Sequence, residues 1–575
     1  MDLIFDIETD GLNAKTIWCI AAQIDGQPWM KEFWGPDEVQ NFPQWLKDND
    51  VKTLIGHNII NFDIPVIERL LNFKWWGGIK DTLVMSKLDN PSRKGGHSLK
   101  AWGEKLEFPK DEFSDFAQYS EEMKHYCIQD VAVNGKVYSL LKSQNLTPDA
   151  LNLEQQVAKT IHQQSLNGWK FKTTKAVSLM VELKQEMFNA EDTVRQVFKP
   201  LPKFKKLAFP KVPYKKDGSI SSAFQNQLDS KAFLDPEEGW GKYIYPEFNL
   251  GSRKQIGEQL IHFGWTPTEF TEHGQPIVSE TILEKLEFPE GKIIANYIML
   301  QKRLAMVSSW VDNVDVMNRI HGHVNSCGAV TGRMTHSKPN LAQVPASYSP
   351  YGKECRELFT VEPGYKLVGM DASGLELRML AHYMNDEQYI KEATEGDIHT
   401  ANQEAAGLET RDQAKTFIYA FLYGAGDEKI GSIVGGSASD GKKLKKTFLD
   451  NTPPLKELRK KVTTEAESGK IVGLDGRKLH IRSTHAALNV LLQSAGAIVM
   501  KRALLLLKEY ADAKGLDYKF VGNIHDEVQT EVREDQAELF GELAVQAIRD
   551  AGLYYEMNCP LDGEYKLGNT WKETH

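Results

Sequence analysis

The chain has 575 residues, of which 41% are apolar and 10% aromatic, a globular composition with room for three to five units of ordinary size. Its five cysteines (Cys19, Cys127, Cys327, Cys355, Cys559) are scattered and form no CxxC pair, which excludes a disulfide framework or a cysteine zinc site and fits a reducing compartment. Net charge is −10, but Lys199 to Lys216 holds seven lysines and no acid, and Lys442, Lys443, Lys445 and Lys446 form a second cluster, so net charge does not exclude a nucleic-acid partner. No basic leader opens the chain and the apolar runs read as shorter than the roughly 20 residues of a membrane span, so the expectation is a cytoplasmic protein with no membrane contact.

The first 145 residues read as α/β. Leu3-Ile4-Phe5 and Thr53-Leu54-Ile55 are strand candidates, and Ser120 to Lys142 has helical periodicity. Asp6 and Glu8 fall two apart, on one side of a strand. Asn58 to Asp63 follows, and then Tyr126 and Asp130, one helical turn apart. Four acids so placed could hold two hard divalent ions through carboxylate oxygen, with Tyr126 orienting an attacking water. Each acid read alone is a turn or surface residue. The order D-x-E, N-x4-D, Y-x3-D resembles that of DEDD proofreading 3′–5′ exonucleases of the DEDDy type.

From about 150 to 198 the pattern is long and helical, as in Leu153–Leu166 and Lys175–Phe198. Residues 199–249 change character, with Pro200, Pro202, Pro210, Pro213 and a lysine-rich run punctuating a mainly polar stretch, and read as an insertion between helices. Helical pattern resumes at Ser252 and is expected to run past Ile293–Val311.

After Gly328, strands (Lys366–Asp371, Lys519–Ile524) alternate with long helices (Arg411–Tyr423, Ala486–Tyr510). In the second of these segments Arg411, Lys415 and Tyr419 recur at i, i+4 and i+8 on one helical stripe, and Gly424 and Gly426 are expected to end it in a conformation that favours glycine. Two cations and a ring facing one way suit a polyphosphate with a sugar and base, although a solvated charged face has the same spacing. Asp371 reads as the end of a buried strand, and His525-Asp526-Glu527 as the tip of a hairpin. Taken singly, Asp371 is equally a helix N-cap and Asp526 a turn residue. Together they could hold two metals for phosphoryl transfer.

Three strings carry a resemblance: Asp371-Ala-Ser-Gly-Leu-Glu-Leu-Arg378, Arg411 to Gly426, and His525-Asp526-Glu527. They resemble motifs A, B and C of family A (Pol I-type) DNA polymerases, and residues 328–345 also match that family. Gly396-Asp-Ile-His-Thr and Leu492-Gln-Ser-Ala-Gly-Ala look most like the replicative enzymes of short-tailed, T-seven-like phages. The likeness spans nearly the whole chain and is weakest in 199–249.

The resemblance implies an α/β plus α+β multidomain fold: an RNase H-like DEDDy exonuclease domain (1–145) and a right-hand polymerase domain. The hand would comprise a thumb (146–330) with the basic insertion at about 199–249, palm (331–400), fingers (401–485) and a second palm segment (486–575). It implies two Mg²⁺ ions per site, with Mn²⁺ a substitute: Asp371, the Ala372 carbonyl and Asp526 in one, and Asp6, Glu8, Asp63 and Asp130 in the other. Arg411, Lys415 and His399 would hold the dNTP, Tyr419 would pack on its sugar, and Glu376 would crowd the 2′ position. Tyr423 would lie beside the templating base, and Arg333, Asn489, Gln493 and His525 would meet the primer-template, although Asn489 and Gln493 could equally pair backbone groups. The partners implied are primer-template DNA, a single-stranded 3′ end at the nuclease site, a replisome helicase-primase, and a processivity factor such as host thioredoxin at 199–249. A nuclease whose second half only binds DNA, or a scaffold without activity, would instead be expected to have lost acids at one or both sites.

Overall fold

A period of two organises the first strand. In Asp2–Thr9, Leu3, Phe5 and Ile7 pack with Phe42, Leu46, Ile64 and Ile67, while Ile4 packs on the opposite face with Ile55, Trp102, Cys127 and Val131. Asp6 and Glu8 share the side of Ile4, and the Cys127 thiol donates to the Asp6 carbonyl at 3.5 Å. The computed structural model describes residues 1–575 and contains two compact units, Met1–Phe171 with Asn313–His575, and Lys172–Asp312.

In the first unit, five strands run in the order Met30–Trp34, Ile17–Ile24, Asp2–Thr9, Thr53–Gly56, Gly78–Asp81. The first three are antiparallel, and the last two run parallel to the central strand. Helix Glu121–Ser143 begins where Ser120 Oγ accepts the Met123 N–H at 3.1 Å, with Glu121 and Glu122 in its first turn, a favourable end for the helix dipole. Helix Pro148–Asn167 then ties this sheet to the rest of the unit. Its Gln155 side chain exchanges two hydrogen bonds with the Asp81 backbone, and its fully buried Glu154 accepts from Arg477 and Lys501.

The second sheet of this unit is antiparallel throughout, in the order Tyr518–Ile524, Glu527–Arg533, Tyr365–Ala372, Gly563–Gly568. Helices Ala487–Ala513 and Ala537–Tyr554 belong to its core, along with Val368, Met370, Phe520, Val528 and Val532. Contrary to expectation, one stretch, Thr484–Ala513, is long and apolar enough to cross a membrane by length and composition. Its most apolar window is 83% buried within the unit, so its hydrophobicity serves packing. Helix Arg411–Leu422 opens with a Thr410/Gln413 capping box and buries Ala414, Phe417, Ile418, Phe421 and Leu422. Phe417 and Phe421 meet the Phe448 ring edge-on at 5.1 and 5.4 Å. That leaves Arg411 and Lys415 exposed and Tyr419 half-buried.

The second unit is built on the long helices Thr173–Val197 and Pro289–Asp312, with a core of Ala190, Val194, Phe198, Ile256, Leu260, Ile294 and Ile298. Between them, residues 199–249 are more than a polar insertion. Strands Lys203–Lys206, Gly239–Ile244 and Phe233–Asp235 form an antiparallel sheet in that order, joined by helix Ser222–Asp229 around a cluster of Phe209, Phe224 and Trp240. The strands are three to six residues long and carry lysines, too little apolar alternation to register as strands. The helix expected from Ser252 onward also stops, at His262, where Gly264 (φ +94°) and two prolines follow.

Candidate functional site

The N-terminal acids converge. Carboxylate oxygens of Asp6 and Glu8 and the Cys127 sulfur all lie within 4.8 Å of one another. Asp63 enters from the first turn of helix Asp63–Leu70 and Asp130 from helix Glu121–Ser143, each 4% exposed. Burial, then the charges of Asp63, Asp130 and Glu8, push Asp6 well above the ordinary carboxyl range. Burial and Asp130 raise Glu8 to about 8, and burial raises Asp63 to about 7. Asp130 is raised by burial and pulled back by Lys110, whose ammonium contacts its Oδ2, while its Oδ1 is buried with no hydrogen bond. Tyr126 packs against Phe113 and Phe116 at 5.5 and 6.2 Å, with the Lys110 ammonium 4.3 Å from its ring centroid. Asp6, Glu8, Asp63, Lys110, Tyr126 and Asp130 line an open cleft of about 790 Å³ that also includes Leu12, Asn58, Asn61, Lys87 and Asn325. Leu12, Lys110 and Asp81 escaped the sequence reading. Leu12 and Lys110 follow no spacing rule, and Asp81 acts through backbone, accepting from the Asn58, Ile60, Leu83 and Val84 N–H groups.

At the other site, register does the positioning. Asp371 lies directly opposite Glu527 in the antiparallel pair, which brings it beside Asp526 at the hairpin tip. It is a strand residue rather than a helix cap; the next helix, Leu375–Met384, is capped at Gly374. Asp371 keeps an exposed face, but the protein packed around its carboxyl, then Glu527 and Asp526, raise it to about 6. Asp526 Oδ1 is buried without a hydrogen bond, and Arg333 Nη2 stands 3.6 Å from it. His525 takes φ +57° to make the turn. Glu527 is held by other groups: Trp571 donates to it at 2.6 Å, Gln529 also donates, and His575 Nδ1 lies 2.7 Å away. Trp571 and His575 were missed because their role depends on where the chain end folds back.

The helical stripe faces a second charged group. Arg411 donates to both oxygens of Asp397 at 2.7 and 3.1 Å, which holds Asp397 far below its ordinary range. Lys415 makes no ion pair. The rings of His399 and Tyr419 are 6.2 Å apart, and His399 Nδ1 is buried without a partner. Tyr423 donates to Glu376 at 2.6 and 2.8 Å, and Arg333 reaches the same carboxylate at 3.4 Å. Gly424 ends the helix at φ +74°, as expected, but Gly426 (φ −62°) instead caps the start of helix Asp427–Ser432. Asn489 and Gln493 are half-buried at the start of helix Ala487–Ala513, where every neighbour up to Ala495 is buried, and neither side chain makes a hydrogen bond within the chain.

The sequence profile described as DNA polymerase family A matches residues 223–573. The DNA-directed DNA polymerases of Enterobacteria phage T3 and Escherichia phage T7 are 35% and 34% identical, over 91% of this chain and 92% of each of theirs. The thermostable DNA polymerase I of Thermus aquaticus is 28% identical over 56% of this chain and 42% of its own. Among solved structures, the polymerase domain of Pol1 from M. smegmatis, in complex with DNA primer-template and dNTP, shares the fold with a TM-score of 0.79 at 19% identity. That match covers 100% of this chain and 96% of the other. The chain therefore belongs to DNA polymerase family A and is a DNA-directed DNA polymerase. Members of this family generally use divalent metal ions.

Proposed function

We propose that this chain extends a DNA primer along a template at the Asp371/Asp526 site and removes nucleotides from a single-stranded 3′ end at the Asp6/Glu8/Asp63/Asp130 site, as the replicative polymerase of a phage in the host cytoplasm. The observation that carries this reading is a pair of separate acid clusters, each with a buried carboxylate oxygen that accepts no hydrogen bond from the chain, on Asp526 and Asp130. Carboxylates raised by burial and mutual repulsion suit hard ions such as Mg²⁺ or Mn²⁺, two to a site. Such ions, when bound, neutralise charge on the attacking and leaving oxygens. Asp371, the Ala372 carbonyl and Asp526 would hold them at one site and the four N-terminal acids at the other.

In this reading the primer 3′-hydroxyl attacks the α-phosphorus of the dNTP and pyrophosphate leaves. Arg411 and Lys415 take the triphosphate beside His399, with Arg411 exchanging Asp397 for phosphate. Tyr419 packs on the deoxyribose. Glu376, tethered by Tyr423 and Arg333, fills the space a 2′-hydroxyl would need. Tyr423 lies beside the templating base, and Arg333, Asn489, Gln493 and His525 reach the minor groove, whose acceptors are nearly alike for all base pairs. The nuclease domain would cover 1–145, the thumb 146–330, the palm 331–400 and 486–575, and the fingers 401–485.

The insertion would grip DNA backbone. Lys205 and Lys242 stand directly opposite across two strands and neither has an acid partner, an arrangement that disfavours the sheet unless a polyanion is near. Thioredoxin docking at 199–249 and a helicase-primase partner belong to the same reading of a phage replisome.

The test is a gel assay on a 5′-labelled primer-template with Mg²⁺, with and without the four dNTPs. Extension with nucleotides and shortening without them is the expected result. Asp526→Ala should abolish extension and spare shortening, and Asp6→Ala with Glu8→Ala should do the reverse. Joint loss of both activities in either variant would refute two sites. Longer products on adding thioredoxin would support docking at the insertion.

A further inference from the structure

Of the two lysines that line the nuclease cleft, Lys87 and Lys110, one is in direct contact with an acid, and the two-metal reading does not use it. Lys110 is only 18% exposed along its side chain, and its ammonium contacts Asp130 Oδ2 and lies over the ring of Tyr126, where its charge also acts on the Tyr126 hydroxyl. It leaves Asp130 Oδ1 buried and free. Its charge is also felt by Asp6 and Glu8, but its direct contacts are with the helical acid and the tyrosine one turn before it.

The backbone that presents Lys110 is fixed. The Phe108 N–H donates to the Gly103 carbonyl at 2.9 Å, Gln129 donates to the Pro109 carbonyl at 2.9 Å, and Trp18 donates to the Phe116 carbonyl at 3.1 Å. Gly103 makes the close approach possible, since a Cβ there would stand 2.8 Å from the Phe108 carbonyl oxygen and 3.1 Å from the Lys110 nitrogen. The same loop supplies Phe113 and Phe116, which pack against the Tyr126 ring. A loop that steadies the tyrosine with two rings and one ammonium, and the aspartate with that same ammonium, is built to set the two groups relative to each other.

We propose that Lys110 is a positioning residue of the nuclease reaction, its ammonium fixing the Asp130 carboxylate and the Tyr126 ring so that Asp130 Oδ1 is presented to the metal site and the Tyr126 hydroxyl to the attacking water. This rests on the nuclease reading above. In that reaction the water oxygen bonds to phosphorus, the bond from phosphorus to the penultimate 3′-oxygen breaks, that oxygen leaves with a proton, and a nucleoside 5′-monophosphate is released. Lys110 neither gains nor loses a proton.

The test compares the full-length wild type, Lys110→Met, Lys110→Arg and the Asp6→Ala/Glu8→Ala double variant on a 5′-labelled single strand with Mg²⁺, alongside extension of a primer-template. Lys110→Met should lower kcat for shortening by about 10- to 100-fold, as loss of a partner behind a metal ligand does. Its KM and its extension rate should stay within about twofold of wild type, and Lys110→Arg should recover much of the lost rate. A Lys110→Met kcat within about twofold of wild type would overturn the proposal. So would unchanged kcat with raised KM, the mark of a strand contact, or unchanged kcat with a lower Mg²⁺ requirement, the mark of a place-holder for the ion. Failure of the wild type to shorten the strand while it extends primers would instead overturn the nuclease reading itself.

Discussion

Glu154→Ala tests how the first unit is held together. Glu154 is fully buried, and its carboxylate accepts from Arg477 at 2.7 Å and from Lys501 at 2.7 and 2.8 Å, both cations being 3% exposed. Arg477 keeps a second partner in Asp475, but Lys501 is left with only the Gly332 carbonyl. Removing one partner of a buried ion pair costs about 3–5 kcal/mol, because a charge remains in a poorly solvating interior. Unfolding of the unit's about 430 residues carries roughly 0.9 kcal/mol per degree at the usual entropy per residue, so Tm should fall by about 3–6 °C. Differential scanning calorimetry measures this directly. Since Lys501 holds the carbonyl next to Arg333, primer extension should fall as well. Replacing both charges, as Glu154→Leu with Lys501→Met, should recover most of the lost stability. A drop of less than about 1 °C in Glu154→Ala, or a double variant no better than the single, would refute the reasoning.

Three further outcomes follow from the geometry. Glu8 and Asp63 have folded values of about 8 and 7, above those of free carboxyls, so their contribution to stability is complete at acid pH and is lost as pH rises through 7–8. Scanning fluorimetry in EDTA should therefore show a falling first transition between pH 6 and 9, and Mg²⁺ should restore more of it at pH 9 than at pH 6; a flat profile would contradict this. Tyr423→Phe removes a charge-assisted bond to Glu376, about 1.5–3 kcal/mol, and should lower discrimination against ribonucleotides by about tenfold or more in single-nucleotide insertion kinetics. Lys205→Ala with Lys242→Ala should make the salt dependence of primer-template affinity shallower by up to about 0.9 per lost phosphate contact. Lys203→Ala and Lys206→Ala should matter less, because these lysines already pair with Glu258 and Glu238; fluorescence anisotropy across a salt series separates the two.

The sequence by itself determined what depends on local spacing. The 3.6-residue period set Arg411, Lys415 and Tyr419 on one side of a helix whose other side is Ala414, Phe417, Ile418 and Phe421, because burying the apolar stripe leaves only one way to turn. The period of two put Asp6 and Glu8 on one face of their strand for the same reason. Tertiary structure decided what depends on contacts far apart in the chain. Antiparallel register, with no local signal, sets Asp371 opposite Glu527 and so next to Asp526. The fold-back of the C-terminus brings Trp571 and His575 to Glu527, and the approach of loop to helix at Gly103 brings Lys110 to Asp130. Helix Thr484–Ala513 shows the limit of local reading most plainly. Its composition suits a membrane and a protein core equally, and only the elements packed around it decide between them.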